Sequence, residues 1–560
     1  MNIEKIKILW NSVDSMSVGV GLLSIVFMSL IMASSLFCLG LCINNWLFLI
    51  SCICSIGFVR IYCKKNNYEV FPNVLIFVLL VAFSLLIATF TFDYSWDGCS
   101  YHQDIILQLR EGWNPYYIHH APNFNSELAL WGNHYAKGME TISAVIYAFT
   151  GRIESGKAVS LLLVISSFCF VKNALNGILK SSYKVLFYSL AFSFSPVIFQ
   201  QAFTFYIDWS LYSLMLILVS MLLSIKKDLN VLQVCCIAIC IIMSIAIKYN
   251  IAFWIGFTIF LYWIYLLFQK RYQIAISLIL IGVISLIIGI LFTGFNPYIT
   301  NYLDHSNPFY PLLGEYAVDI MTDQMPVNMR NNSDFVNVFI SLFSHGTTTG
   351  DSARFMFPFL FNIEDLKVIA NPPQRGLHPT VRAVHRDPRT CGFGVFFSGL
   401  MLLSIVLYAF AKMEKHYRNI SLVICTLLFF SLFVLPSGSW SRYTPFFYTF
   451  PLILLLFTEF GQLTHKLLHF RRILYTVILF NILSIFIIVS ILNIYCYLQT
   501  QKAINIVRVS NNPNINFGVN VAFKIKLDER NIRYVEQKNK IGLNTLLHIA
   551  PEVCIDSDLK

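Results

Sequence analysis

Charge is scarce in this sequence: Asp, Glu, Lys and Arg make up 12% of 560 residues, about half the share of an ordinary soluble chain. That scarcity excludes a soluble multidomain enzyme, a disordered chain and a coiled coil, all of which need more charge. Glycine is too sparse for collagen, at 26 residues. The 14 cysteines include no CxxC pair; Cys235-Cys236 and Cys52/Cys54 lie inside apolar stretches. They read as small core hydrophobes, not as a disulfide framework or a zinc site. No internal repeat or low-complexity segment is present, so a two-fold transporter architecture has no support.

What is abundant is apolar: 57% of residues are hydrophobic. The chain reads as an all-α polytopic membrane protein. Stretches of about 20 apolar residues predict helices at 17–40, 45–61, 71–91, 156–176, 185–200, 207–225, 230–248, 250–268, 272–293, 392–411, 419–436, 444–461 and 473–498. That is about 13 transmembrane helices. Lys5 and Lys7 precede an apolar run too long for a signal peptide, which predicts an uncleaved first span.

The formal charge of +11 would suit nucleic acid if it were gathered on one surface. Instead it falls in short clusters: Arg60, Lys64, Lys65; Lys180, Lys184; Lys226, Lys227; Lys270, Arg271; Lys412, Lys415, Arg418; Lys466, Arg471, Arg472. The positive-inside rule turns these clusters to the cytoplasm and argues against a nucleic-acid partner. The N-terminus is then inside and the C-terminus outside. Residues 1–498 form the transmembrane module, with outer loops at 92–155 and 294–391, and 499–560 form an outward tail.

The first outer loop opens Phe92-Asp93-Tyr94-Ser95-Trp96-Asp97-Gly98-Cys99-Ser100-Tyr101-His102. A carboxylate at the membrane boundary is costly unless it faces water or a partner. Residues 99–111 predict an amphipathic helix in the interface, with Tyr101, Ile105, Ile106 and Leu109 apolar, ended by Gly112-Trp113-Asn114-Pro115. Asp97 reads equally as that helix's N-cap, and Asp93 as a solvated boundary residue.

Asp97-x-x-x-Tyr101, the helix, Gly112-Trp113 and Lys137 within Asn133-His134-Tyr135-Ala136-Lys137-Gly138 resemble the first outer loop of the GT-C glycosyltransferases. The nearest pattern is the branch of protein O-mannosyltransferases and lipid A aminoarabinose transferases. The resemblance covers about 60 residues and implies an enzyme that takes its sugar from a polyprenyl phosphate. It departs from that branch where Gly98 follows Asp97, where Gly138 and Met139 replace prolines after the lysine, and where two spans precede the loop-bearing one.

The implied chemistry suits these residue types. An enzyme facing outward has no nucleotide sugar and needs a membrane-borne donor. Polyprenyl phosphate is a good leaving group, whereas the acceptor hydroxyl needs a base, worth about 10²–10⁴-fold. Asp97 is the expected base, with Asp93 in reserve. Lys137, Arg442 and Arg389 are the expected cations for the departing phosphate. Lys137 reads equally as a snorkelling lysine. Arg442, in Ser437-Gly438-Ser439-Trp440-Ser441-Arg442-Tyr443, is the one charge in its short outer connection; Arg389 reads equally as an ion pair with Asp387.

Tyr101, His102, His134, Asp208 and Trp440 are the expected substrate-binding residues. Asp208 reads equally as the cap of the sixth span. Some GT-C enzymes use a second acidic residue to orient substrate or hold a divalent metal, so the metal stays open. The four histidines of the first loop carry neither HxxxH nor HExxH spacing, which argues against zinc. Lys248, at a span end, reads first as a snorkelling lysine and is also placed to pair with Asp208 or a phosphate. Phe295-Asn296-Pro297-Tyr298 and Asn307-Pro308-Phe309-Tyr310-Pro311 suit a sugar or the bilayer interface alike. Gly346–Gly350 lacks the strand and Lys-Ser/Thr of a phosphate loop.

Two rivals stand beside this reading. An O-antigen or capsule polymerase would depend on arginines of the second loop and tolerate loss of Asp97. A lipid-linked glycan flippase would need ionisable residues at midplane, which the spans nearly lack apart from Lys248. The acceptor is a glycan, a lipid or a protein hydroxyl. The Ile, Asn and Lys bias suggests an AT-rich bacterial genome, so the expected location is a bacterial inner membrane.

Overall fold

The computed structural model describes residues 12–124, 127–315, 317–319, 321–345, 352–356, 392–435, 438–510, 512–538, 543–547 and 551–556. Most of them are helical. The chain divides into two compact units: Met1–Ile178, Ala202–Val318 and Asn493–Lys560 in one, Leu179–Gln201 and Asp319–Leu492 in the other.

In the first unit, helices Ser15–Cys38, Leu47–Lys65 and Val70–Phe90 run up, down and up. Asp14 caps the first, accepting from Ser17 N at 2.7 Å. Asn73, near the start of the third, accepts from Asp14 N at 2.8 Å and Ser17 Oγ at 2.5 Å, so both helices begin at one end. Asn114 donates to Phe37 O at 3.0 Å and Leu41 O at 3.1 Å, which brings the first loop to the opposite end.

Among the described residues seven helices are long and apolar enough to cross a membrane: Ser15–Cys38, Leu47–Lys65, Val70–Phe90, Ile153–Asn176, Tyr249–Phe268, Tyr272–Thr293 and His465–Val509. Ser15–Cys38 and Ile153–Asn176 are the buried centre of their unit. Val70–Phe90 instead exposes Leu79, Phe83, Leu86 and Phe90, each by more than half. Such a stripe is an aggregation surface in water and an ordinary surface in hydrocarbon. Hydroxyls inside these helices bond back to the preceding turn, as Ser29 does to Ile25 O and Ser84 to Leu80 O, both at 2.8 Å. The chain is a helical membrane protein.

The remaining predicted spans are shorter helices: Trp209–Leu223, Val231–Ile247, Phe397–Phe410, Lys415–Ser431 and Pro445–Phe460. The predicted span 185–200 is broken into Ser182–Ser193 and Pro196–Gln201, because Pro196 cannot continue a helix. The predicted 473–498 helix is instead the middle of a 45-residue one, His465–Val509.

The first loop is not an interfacial helix on a solvated segment. A π turn at Gly98–His102 leads into helix Gln103–Arg110, and the short helix Ala129–His134 and helix Gly138–Thr150 follow. Of the expected polar face, Gln103 and Asp104 are buried together with Ile105, Ile106 and Leu109, while Arg110 and Glu111 stay exposed. Gly138–Thr150 is buried almost throughout: Ile142, Val145, Ile146 and Tyr147 pack inward, and its polar Glu140 is covered as well, against His102.

The tail is the departure from an all-α fold. Asn514–Asn516 pairs in parallel with Val535–Glu536 and antiparallel with Val553–Asp556, which pairs antiparallel with Leu543–Leu547. Helix Val521–Asp528 joins this small sheet to the first loop, packing on the Gly98–His102 turn and on Gln103–Arg110.

A buried charge cluster fixes that junction. Lys526 and Lys157 each reach Glu154 at 2.5 Å, and all three side chains are 4% exposed or less. Glu154 also accepts from Asp93 N at 3.2 Å, and Lys157 donates to Thr91 O. Asp93 accepts from Ser95 N at 2.7 Å and Phe205 N at 2.8 Å. Two lysines thus face two carboxylates out of water, with main-chain groups filling the remaining positions. Burial alone would lower Lys526, but Glu154 beside it raises its pKa above the usual lysine value.

In the second unit, Glu459 pairs with Lys184 and, at 3.3 Å, with Arg471. Two of the predicted cytoplasmic lysine and arginine clusters therefore meet at one place. Asn481 holds the start of helix Phe397–Phe410, donating to Phe393 O at 3.0 Å and accepting from Phe396 N at 2.8 Å.

Removing one partner of a buried pair costs about 3–5 kcal/mol, so Lys526→Met is expected to loosen the tail and expose it to limited proteolysis. Lys524 pairs with Glu536 at the surface, where such a pair is worth about 0–1 kcal/mol. Lys524→Met should therefore cut like wild type; equal sensitivity of the two variants would contradict the anchoring role.

Candidate functional site

The two loop carboxylates have different surroundings. Asp93 is buried, and both its oxygens accept main-chain N–H groups, from Ser95 and Phe205. Burial raises its pKa, while Lys157 pulls the other way. Gly98 follows from this packing: a Cβ there would lie 1.8 Å from Asp93 Oδ2, so no side chain fits. Asp97 is half-buried in the first turn. It makes no capping bond; Ser95 Oγ supplies the cap, accepting from Gly98 N at 3.1 Å. Tyr101, on the same turn, is half-buried with its ring 4.2 Å from that of His102.

Lys137 is buried and fully engaged. Its ammonium donates to Asn133 O at 2.9 Å, Tyr135 O at 2.7 Å and Asn296 Oδ1 at 2.7 Å, using all three of its protons. Asn296 in turn donates to Pro115 O at 3.1 Å. Lys137 thus locks the loop to the segment after span 272–293. Burial lowers its pKa to about 7, against the raising effect of Glu140. The glycine after it is also required by packing, since a Cβ on Gly138 would stand 2.7 Å from Ala246 O.

His102 meets Glu140 at 2.5 Å, joining the π turn to helix Gly138–Thr150. His134 meets Asn301 Oδ1 at 2.8 Å, and Asn301 donates back to His134 O at 3.1 Å. Burial pulls the His134 pKa down to about 4, with the Asn301 contact opposing, so the ring is neutral at pH 7. His305 stacks on Tyr310 at 3.8 Å, and His119 pairs with Asp304 at 2.9 Å. Among the described residues no three His, Cys, Asp or Glu side chains converge as metal ligands.

Asp208 makes no capping bond at the start of Trp209–Leu223. It pairs with Lys248 at 2.6 Å, one of the partnerships that the sequence leaves open to that lysine. Lys248 stands in the extended break between Val231–Ile247 and Tyr249–Phe268, one turn from the Gly138 contact at Ala246. One end of the first unit therefore carries Asp93, Asp97, Tyr101, His102, His134, Lys137 and Asp208.

Arg442 and Trp440 belong to the second unit. The guanidinium lies 4.9 Å from the Trp440 ring and 4.8 Å from that of Tyr443, and donates to Tyr443 OH at 3.0 Å. Trp440 is buried beside Met325 and Met329. Arg389, Asp387 and Gly346–Gly350 lie outside the described residues.

No family model, curated relative or solved structure matches this chain.

Several residues of this end were not singled out from sequence. Glu140 and Asn301 orient histidines, yet their pairings span 38 and 167 residues. Glu154 and Lys157 had a local signal, an acid and a base three apart at the head of an apolar run. Nothing local marks Lys526 as their third member.

The low Lys137 pKa gives a signed expectation. Between about pH 7 and the ordinary lysine value the unfolded chain holds a proton that the folded chain lacks, so stability rises with pH. The slope contributed is at most about 1.4 kcal/mol per pH unit. Thermal unfolding at pH 7 and pH 9 should show the rise in wild type and its loss in Lys137→Met. An unchanged pH dependence in that variant would contradict the assignment.

Proposed function

We propose that the chain is a GT-C-type membrane glycosyltransferase, moving a sugar from a polyprenyl phosphate to an acceptor hydroxyl at the outer face of a bacterial inner membrane. In this reading the membrane is crossed thirteen times, and the N-terminus is cytoplasmic. The observation that carries it is the division of labour between the loop carboxylates. Asp93 is buried and committed to main-chain N–H groups, whereas Asp97 is half-exposed on the turn that also carries Tyr101 and His102.

The acceptor oxygen attacks the anomeric carbon while Asp97 takes its proton. The bond from that carbon to the phosphate oxygen breaks, and its electron pair leaves with the polyprenyl phosphate. A single displacement inverts the anomeric centre. Arg442, held against the rings of Trp440 and Tyr443, and Arg389 are the cations for the leaving phosphate. Lys137, whose three protons are already committed, acts by holding the loop. Tyr101, His102, His134, Asp208 and Trp440 contact the substrates. A divalent metal is not required by this scheme.

Complementation with Asp97→Asn and Asp93→Asn tests the reading, with envelope glycans scored by mass spectrometry. Asp97→Asn should be expressed normally and lose one sugar decoration, with transfer slowed about 10²–10⁴-fold. Asp93→Asn should reduce the amount of folded protein instead. Shorter glycan chains with Asp97→Asn still fully active would favour the polymerase.

A further inference from the structure

A cavity of about 200 Å³ opens where three membrane-adjacent elements meet in the first unit. Thr89, Phe90 and Phe92 close one side at the end of helix Val70–Phe90. Tyr497 and Gln501 come from the long helix, and Arg152, Lys526 and Arg530 supply charge.

The charges in it do not balance. Lys526 is consumed by Glu154 at 2.5 Å, and Arg152 lies 3.6 Å from Glu529. Glu529 is further held by Ile153 N at 2.7 Å. Arg530 is left as the surplus cation: it donates to Lys526 O at 2.8 Å and forms no ion pair among the described residues. It is half-buried, and burial, followed by the field of Arg152, lowers its pKa, with Glu529 opposing. A half-buried guanidinium that shares a cavity with a second arginine and has no ion pair among the described residues is an unfavourable arrangement that a bound anion relieves.

The exposed side chains of Val70–Phe90 say what kind of anion. Leu79, Phe83, Leu86 and Phe90 form one apolar stripe, and its last member lines the cavity. Hydrocarbon lying on this stripe would bring a headgroup to the cavity mouth. We propose that the cavity binds the phosphate of an anionic membrane lipid, with Arg530 and Arg152 as its cations and the Val70–Phe90 stripe under its chains. The site does not depend on the transferase reading. Lipid bound there would brace the junction of the tail with the first loop, since Lys526 and Glu529 belong to both.

Native mass spectrometry of the purified full-length protein tests this with three probes: dioleoyl phosphatidylglycerol, dioleoyl phosphatidylcholine and inorganic phosphate. Wild type should retain phosphatidylglycerol over phosphatidylcholine, with inorganic phosphate a weak competitor. From about 1 kcal/mol per cation, retention should fall about fivefold in Arg530→Ala and about 30-fold in Arg152→Ala/Arg530→Ala. Arg530→Lys, which keeps the charge, should stay close to wild type and controls for misfolding. Undiminished phosphatidylglycerol in the double variant, or equal retention of phosphatidylcholine by wild type, would overturn the site. Displacement of the lipid by inorganic phosphate at equal concentration would overturn its lipid character.

Discussion

The carboxylate of Glu154 is the contact on which the polar end of the first unit depends. It takes Lys157 from its own helix, Lys526 from the tail and the Asp93 N–H from the first loop. Three stretches distant in sequence are thereby tied at one buried point. Isolated buried charges are expensive, but a set in which each has partners is held in place, because removing one member strands the others. The Asp93 carboxylate, fixed beside this point, collects the N–H groups of Ser95 and Phe205. Its close approach to Gly98 sets the turn that displays Asp97. The orientation of the candidate base is thus a consequence of charge pairing several residues away.

A second tier of polar contacts ties the loop to the segment beyond span 272–293. Lys137 to Asn296 and His134 to Asn301 are both links of this kind, made from buried side chains with complementary donors and acceptors. Side-chain amides suit the task at a membrane boundary, since they bridge main-chain groups without bringing further charge out of water. This explains why a region rich in Asn and aromatic residues reads ambiguously from sequence: the same residues serve packing, polar bridging and the bilayer interface.

Composition and apolar run length were enough to show a helical membrane protein, because lipid leaves the backbone little choice. The same rule places helix in each of the thirteen expected segments, but it is blind to a break such as Ser195–Pro196, where the run stays apolar while the helix stops. Lys184 and Arg471, from two of the positive clusters, meet at Glu459. The Asp208–Lys248 pair was legible because each is a charge stranded at a span end. The first loop was less so. Its helix has an amphipathic pattern, with Arg110 and Glu111 exposed, yet Gln103 and Asp104 of the same polar face are buried, and no local signal encodes that cover. The tail's sheet escaped for a related reason, being built from strands of two to five residues.

The reading of function comes down to what leaves when the sugar is transferred. A GT-C transferase releases a lipid monophosphate, a polymerase a lipid diphosphate, and a flippase neither. The most direct measurement is to incubate the purified full-length protein with lipid-linked sugars and envelope glycans extracted from cells, and to identify the lipid product by mass spectrometry. The account predicts polyprenyl monophosphate appearing in step with the glycosylated acceptor. Polyprenyl diphosphate as the product, or lipid-linked sugar left intact, would contradict it.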